Sequence, residues 1–193
     1  MNEKKLAAEK SIEFIEDGMT LGLGTGSTVF FLVNKLGELV KQGIKVKCVS
    51  TSNQTSELAR NLGIKIVNLN EVDHIDLTID GADEVDKNLN GIKGGGGALL
   101  FEKIVAASSQ RVIWIVDSSK YVDKLGKFPL PIEVIPFGSN HLLKRFTDSG
   151  YNPAIRKNGS DIYITDSGNK IIDLHLNEIE DSLKLEQEIK LIP

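Results

Sequence analysis

The chain has 193 residues, a length that supports one sizeable hydrophobic core with room for a smaller lobe. Hydrophobic residues make up 40% of it and charged residues 26%, which excludes a disordered or collagen-like protein. The net charge of −4 provides no basic field for nucleic acid or an anionic membrane, and no apolar stretch reaches the roughly 18 residues of a membrane span. We therefore expect a cytoplasmic protein without nucleic-acid or membrane partners.

Cysteine and histidine, two residue types that commonly bind metals, are sparse. Cys48 is the single cysteine, so an internal disulfide is excluded, and its place in an alternating apolar run predicts a buried structural thiol. His74, His141 and His175 are scattered, without a partner four residues away or a neighbouring cysteine. We expect no metal site.

Strand and helix patterns alternate along the first two thirds of the chain. The predicted elements are a helix with Leu6, Ile12 and Ile15, then a strand (20–23), a helix (29–40), a strand (45–49), a helix (56–62), two strands (64–67 and 75–79), a helix (98–107) and a strand (111–116). This order predicts an α/β protein with a doubly wound, mostly parallel sheet. The last strand is a nearly continuous apolar run, typical of a strand that is covered on both faces.

The character of the sequence changes near residues 126–131, where two prolines restrict the backbone. We place a domain boundary there, between a catalytic α/β domain (1–126) and a small α+β lobe (127–193), either inserted or appended. The lobe is predicted to contain an apolar run (132–137), a helix with Leu142, Leu143 and Phe146, strands at 162–164 and 171–174, and a helix at 179–189.

Polar loops follow four of the predicted strands, at residues 24–28, 50–55, 80–83 and 117–120. Because parallel strands end at a common edge, these loops are expected to lie together and to form a pocket.

The first of these loops is rich in glycine and hydroxyl groups, in the order Thr25, Gly26, Ser27 and Thr28. At a strand-to-helix junction, such a loop offers backbone N–H groups and a helix N-terminus to an anion. The lysine of a Walker-type loop is missing, and Val29 stands where a dinucleotide-binding loop has its third glycine. The loop therefore favours a monophosphate or a carboxylate; the alternative is that Ser27 only caps the helix.

Two acids and a lysine surround the next glycine-rich stretch. Asp80 and Asp83 flank Gly81 and Ala82, a spacing that lets both carboxylates face one small polar ligand. The alternative for either acid is a turn or capping role. Lys93 precedes Gly94, Gly95 and Gly96 and is a candidate for stabilising an oxyanion or binding an anion; its alternative is a solvated surface position.

Glu102 lies on the predicted helix about one turn after the glycine run, and we consider it the best candidate for a general base. Taken alone, it would be a surface glutamate. Lys120 follows the last strand and is a candidate for contact with a phosphate or a hydroxyl group.

Together these segments resemble the type A ribose-5-phosphate isomerases, and the correspondence extends from the first helix to at least Ile172. The resemblance implies exchange of D-ribose 5-phosphate with D-ribulose 5-phosphate in the non-oxidative pentose phosphate pathway, without metal or organic cofactor, by a homodimer or larger homo-oligomer. It places the base on Glu102, substrate contacts on residues 25–28, 80–83 and 93–96, and a further contact on Lys120. Lys4 matches the family pattern less closely.

Members of this family usually add a glycine-containing apolar strand after the helix that ends here near residue 190, so the small lobe is expected to lack that strand. Two alternatives for function stay open at this point. One is a sugar-phosphate sensor that binds without conversion, and the other is an acyl-CoA transferase of related architecture. The sensor requires a DNA-binding segment and the transferase a nucleotide groove, and neither is evident in the sequence.

Overall fold

A computed structural model describes residues 2–192. Its elements, in chain order, are α1 (Glu3–Ser11), β1 (Thr20–Leu23), α2 (Ser27–Lys41), β2 (Lys47–Ser50), α3 (Asn53–Asn61), β3 (Lys65–Ile66), β4 (Ile75–Asp80), β5 (Glu84–Val85), β6 (Gly91–Ile92), α4 (Leu99–Ala107), β7 (Ser109–Trp114), β8 (Leu130–Val134), α5 (Ser139–Asp148), β9 (Pro153–Ile155), β10 (Lys157–Asn158), β11 (Asp161–Ile162), β12 (Lys170–Leu174) and α6 (Ser182–Lys190). Short 3₁₀ turns lie at Ile12–Phe14, Leu69–Glu71 and Ser118–Lys120.

The chain packs as two units, which we call the sheet unit (Met1–Gly81 and Ala98–Ser118) and the small unit (Ala82–Gly97 and Ser119–Pro193). This division differs from the domain boundary that we predicted at residue 126, because residues 82–97 and 119–126 pack within the small unit. Hydrogen bonds explain that packing. Glu84 accepts bonds from the backbone N–H groups of Gly126 and Phe128, and Val85 forms a parallel bridge with Tyr121.

The sheet unit contains five strands in the order β3-β2-β1-β4-β7, and every pairing is parallel. This confirms the predicted fold class. The apolar stripe of α2 is buried against the sheet through Val29, Leu32, Val33 and Leu36, residues spaced three or four apart as one helix face requires.

The prediction for the last strand of this sheet was partly wrong. β7 begins at Ser109, two residues before the predicted start, and it is an edge strand whose Val112 is 40% exposed. The apolar run is not covered throughout, because Val112 within it is 40% exposed. Arg111 of the same strand stacks its guanidinium on the ring of Phe14, 4.7 Å from the centroid.

The small unit contains an antiparallel sheet in the order β8-β12-β9, with a core of Val134, Phe146, Ile172 and Leu174. The strand at 171–174 is confirmed as β12. The strand predicted at 162–164 is only partly correct, since β11 ends at Ile162. β11 pairs with β10 in a hairpin whose strands have two residues each. None of the described helices of the chain is long and apolar enough to cross a membrane.

Cys48 lies in β2, fully buried in the core of the sheet unit, as predicted. Burial raises the pKa of its thiol to about 12, because a thiolate would lose its hydration among apolar neighbours. Cys48 is therefore a structural residue.

Glu84→Gln is expected to destabilise the protein by about 1–3 kcal/mol, because the carboxylate is buried and accepts two backbone hydrogen bonds, of 2.7 and 2.6 Å. An amide has only one acceptor oxygen and would turn an N–H group toward a backbone donor. Urea unfolding measures the change. Glu180→Gln, at an exposed position of the same unit, is the control and should leave the midpoint unchanged; equal midpoints for both variants would contradict the assigned role.

Candidate active site

The site begins where the strand order of the parallel sheet reverses. β1 pairs with β2 on one side and with β4 on the other, and Leu23 lies opposite Ile79 near the carboxyl ends of β1 and β4. Connections that leave in opposite directions from neighbouring parallel strands open a crevice beyond their carboxyl ends. The residues after β1 and β4 therefore border a natural binding position.

Asp80, the last residue of β4, is fixed at this crevice by the loop after β1. Its side chain is 2% exposed, and Oδ1 accepts hydrogen bonds from the N–H groups of Thr25 (3.1 Å) and Gly81 (2.7 Å). A Cβ atom on Gly24 would lie 2.6 Å from the Cα of Asp80 and would overlap its carboxylate. Gly24 is thus needed for the close approach of the acid, a reason that sequence reasoning did not identify.

Hydroxyl groups from the loop after β2 hold the same region. Thr25 Oγ1 lies 2.8 Å from Thr51 Oγ1 and donates to Ser52 Oγ at 2.9 Å. Thr55 Oγ1 donates to the carbonyl oxygen of Gly24, also at 2.9 Å. Thr51, Ser52 and Thr55 were not singled out from the sequence, although the run of hydroxyl residues after β2 was the signal.

α2 begins at the end of the loop that follows β1. Gly26 is its N-cap with φ of 115°, a conformation that favours glycine, and Ser27 is the first residue of the helix, so Ser27 is not the cap residue. Instead, Ser27 Oγ accepts a 2.9 Å hydrogen bond from Lys4 Nζ. An ammonium, a hydroxyl and the free N–H groups of a helix start together form a site suited to an anion. Thr28, by contrast, is buried.

Lys4 reaches this position because the first turn of α1 is held in place. The carboxylate of the preceding residue, Glu3, accepts hydrogen bonds from the N–H (2.8 Å) and the hydroxyl (2.6 Å) of Ser118. These bonds lower the pKa of Glu3. Ser118 lies shortly after β7, so α1 begins at the carboxyl edge of the sheet.

Glu102 lies in the first turn of α4 and is only 4% exposed. One turn later, Val105 packs so closely over β1 that a Cβ on Gly22 would lie 2.8 Å from its Cγ1. Residues three apart share a helix face, so Glu102 also faces the sheet, nearer the helix start. A helix between parallel strands runs opposite to them, which puts its start at their carboxyl ends. Glu102 is therefore a buried acid at the carboxyl edge, not a surface glutamate.

The small unit orders its own predicted residues around the hairpin of β5 and β6. Asp83 donates its N–H to the carbonyl of Ile92 at 2.8 Å, and its Oδ2 accepts from the N–H of Gly95 at 2.7 Å. Lys93 follows Ile92 in the chain and is half-buried. Lys120 Nζ lies 5.8 Å from the ring centroid of Phe128. The Asp83 carboxylate thus holds the glycine run directly, which is a structural role in addition to any ligand contact.

The predicted site residues divide between the units. The sheet unit contains Lys4, Thr25, Gly26, Ser27, Thr28, Asp80, Gly81 and Glu102, and the small unit contains Ala82, Asp83, Lys93, Gly94, Gly95, Gly96 and Lys120. Within residues 2–192, no three His, Cys, Asp or Glu side chains are grouped so as to hold a metal ion. In the sheet unit alone, an anion site and a buried carboxylate lie at one edge of a parallel sheet, an arrangement suited to proton transfer on a phosphorylated compound.

Comparison with known proteins agrees with this chemistry. The model of a family described as Ribose 5-phosphate isomerase A (phosphoriboisomerase A) matches residues 47–193. Ribose-5-phosphate isomerase A of Bifidobacterium adolescentis is 55% identical over 189 residues, covering 96% of this chain and 81% of the relative.

Two solved structures are also similar. A D-ribose-5-phosphate isomerase in complex with phospho-erythronic acid superposes with a TM-score of 0.95 at 43% identity, covering 100% of this chain and 88% of the other. The ribose 5-phosphate isomerase A of Methanocaldococcus jannaschii superposes with a TM-score of 0.93 at 38% identity, covering 100% and 87%. The chain belongs to the ribose 5-phosphate isomerase A family.

Proposed function

We propose that the protein interconverts D-ribose 5-phosphate and D-ribulose 5-phosphate, a reaction of the non-oxidative pentose phosphate pathway, without a metal or organic cofactor. The observation that carries this function is the buried carboxylate of Glu102 at the carboxyl edge of the sheet. The binding of phospho-erythronic acid by a similar isomerase supports a phosphorylated sugar as the ligand. No observation favours a sensor or an acyl-CoA transferase, and the matched relatives are named as isomerases.

In the proposed reaction, the Glu102 carboxylate removes the proton from C2 of the open-chain aldose, and the C1 carbonyl oxygen becomes the oxyanion of an enediolate. The proton of the C2 hydroxyl passes to the oxygen on C1. Glu102 then returns its proton to C1, which leaves a carbonyl at C2. One base serves both carbons, because they are adjacent.

The other site residues are assigned by their chemistry. Lys4, Ser27 and the N-terminus of α2 bind the phosphate, supported by the hydrogen bond between Lys4 and Ser27. The family pattern gives Asp80, Asp83, Lys93 and Lys120 substrate contacts. We assign Lys93 and the glycine run to the oxyanion, and Asp80 and Asp83 to the substrate hydroxyls and to ring opening.

We also propose a cytoplasmic location and a homodimer or larger homo-oligomer, as the family resemblance implies. Ile135 and Phe137 of the small unit are 65% and 92% exposed, and burial against a second copy would remove this apolar surface from water. Sedimentation velocity measures the assembly; a monomer at all concentrations tested would contradict this part of the proposal.

The reaction can be tested by incubating the protein with ribose 5-phosphate in deuterated water with a metal chelator. We expect ribulose 5-phosphate with deuterium on C1, because a proton held by a carboxylate exchanges with solvent. Glu102→Gln should lower kcat by about 10²–10⁴-fold and leave KM nearly unchanged, since the amide retains the shape but accepts no proton.

Glu57→Gln is the matched control, because it makes the same chemical change at an exposed position on α3. Its rate of ketose formation and its deuterium incorporation at C1 should equal those of the unmodified protein. Turnover of Glu102→Gln at the control rate would refute the role of the base, and absence of ketose with the unmodified protein would refute the function.

Gly24→Ala is expected to lower kcat/KM by about 10²-fold, because the added methyl group overlaps the Asp80 carboxylate and displaces it from the Thr25 N–H group. Steady-state kinetics on folded protein measures the loss. Gly18→Ala serves for comparison: Gly18 has φ of 87° with open space around it, so alanine there strains the backbone away from the site. Equal kinetic losses in the two variants would argue against a specific displacement of Asp80.

A further inference from the structure

A charged side chain in the small unit holds the glycine run, and no role was predicted for it from the sequence. Arg156 lies between β9 and β10, and its guanidinium donates through Nε and Nη2 to the two carboxylate oxygens of Asp173 in β12, at 2.9 and 2.5 Å. Both side chains are only 15% exposed. A two-bond contact of this kind fixes the plane of the guanidinium as well as its position.

The remaining donor of the same group reaches the glycine run. Arg156 Nη1 donates to the carbonyl oxygens of Gly94 (2.7 Å) and Gly95 (3.1 Å). A run of glycines has no side chains to hold its conformation, and Gly94 has a φ of 108° that few other residues adopt. Bonds from elsewhere in the unit must therefore order this segment.

These bonds determine where the loop's N–H groups point. In a trans peptide the C=O and N–H of one unit point in opposite directions, and the peptide bonds of the described residues are all trans. With its carbonyl held by Arg156, the Gly94–Gly95 peptide directs its N–H to Asp83 Oδ2, at 2.7 Å. By the same geometry, the Gly95–Gly96 peptide directs the N–H of Gly96 away from Arg156.

We propose that Arg156, held by Asp173, is a positioning residue for the isomerisation. It orients the glycine run, in which the N–H groups of Gly95 and Gly97 already bond Asp83 Oδ2 and the Gly94 carbonyl. The N–H of Gly96 is the donor that this orientation leaves for the oxyanion of the enediolate, and the inference rests on the proposed function. Preoriented donors favour the transition state because they need no reorganisation when charge develops. Arg156 acts through the loop, so its loss should reduce kcat more than substrate binding.

Arg156→Lys is the informative variant, because lysine keeps the positive charge and loses the planar fork that bonds Asp173 and two carbonyls at once. We expect kcat to fall at least about tenfold, with KM within about threefold of the unmodified value. The inhibition constant of inorganic phosphate should not change, because Lys4 and Ser27 belong to the sheet unit. Asp173→Asn is a second variant, which keeps the guanidinium of Arg156 and weakens the two hydrogen bonds that hold it. Its kcat should fall less than that of Arg156→Lys, again with KM nearly unchanged.

Ile172→Val is the control for stability, because it removes a methylene from a fully buried position on the same strand, β12, without altering the Arg156 contacts. It should lower the melting temperature and leave kcat unchanged. If folded Arg156→Lys and Asp173→Asn had the same kcat as the unmodified protein, the inference would be overturned and the proposed function would stand. An equal fall of kcat in Ile172→Val would overturn it too, and an inactive unmodified protein would refute both proposals.

Discussion

The parallel pairing of β1 with β4 is the constraint on which the sheet unit depends. It sets Leu21, Gly22 and Leu23 beside Leu77, Thr78 and Ile79, so both strands end at one edge. The absence of side chains at Gly22 and Gly24 then lets Val105 and Asp80 approach the backbone of β1. Because Val105 and Glu102 share a face of α4, the packing at Gly22 also sets the position of the proposed base. Strand packing and catalytic geometry are therefore parts of one arrangement.

Much of the proposed chemistry uses backbone groups, and three acids order that backbone. Asp80 accepts from Thr25 and Gly81, Asp83 from Gly95, and Glu84 from Gly126 and Phe128. These acids come from one short stretch of chain that reads as a cluster of catalytic candidates. The structure gives Glu84 a purely architectural contact and gives Asp83 one as well. A conformation rich in glycine needs such partners, because ordering glycine costs more backbone entropy than ordering other residues.

The sequence predicted most elements of the sheet unit, because long amphipathic helices and short apolar strands have distinct periods. It failed where a pattern has two structural meanings. The apolar run near Ile113 fits a central strand, yet β7 is an edge strand. Ser27 has the residue type of a helix cap, yet its hydroxyl accepts from Lys4, because the preceding Gly26 takes the cap position. β9 was missed, since three residues beginning with proline carry little periodic signal.

By itself, the sequence determined the α/β class, because helices and strands differ in local periodicity. It also predicted the loops and the base to which we assign the chemistry, from the residue types at strand ends. Only the tertiary structure decided which groups support them. The contacts of Arg156 with Gly94, Thr55 with Gly24 and Glu3 with Ser118 join residues 62, 31 and 115 positions apart. No local pattern records such pairings, since they arise only when strand order and helix packing bring distant segments within hydrogen-bonding distance.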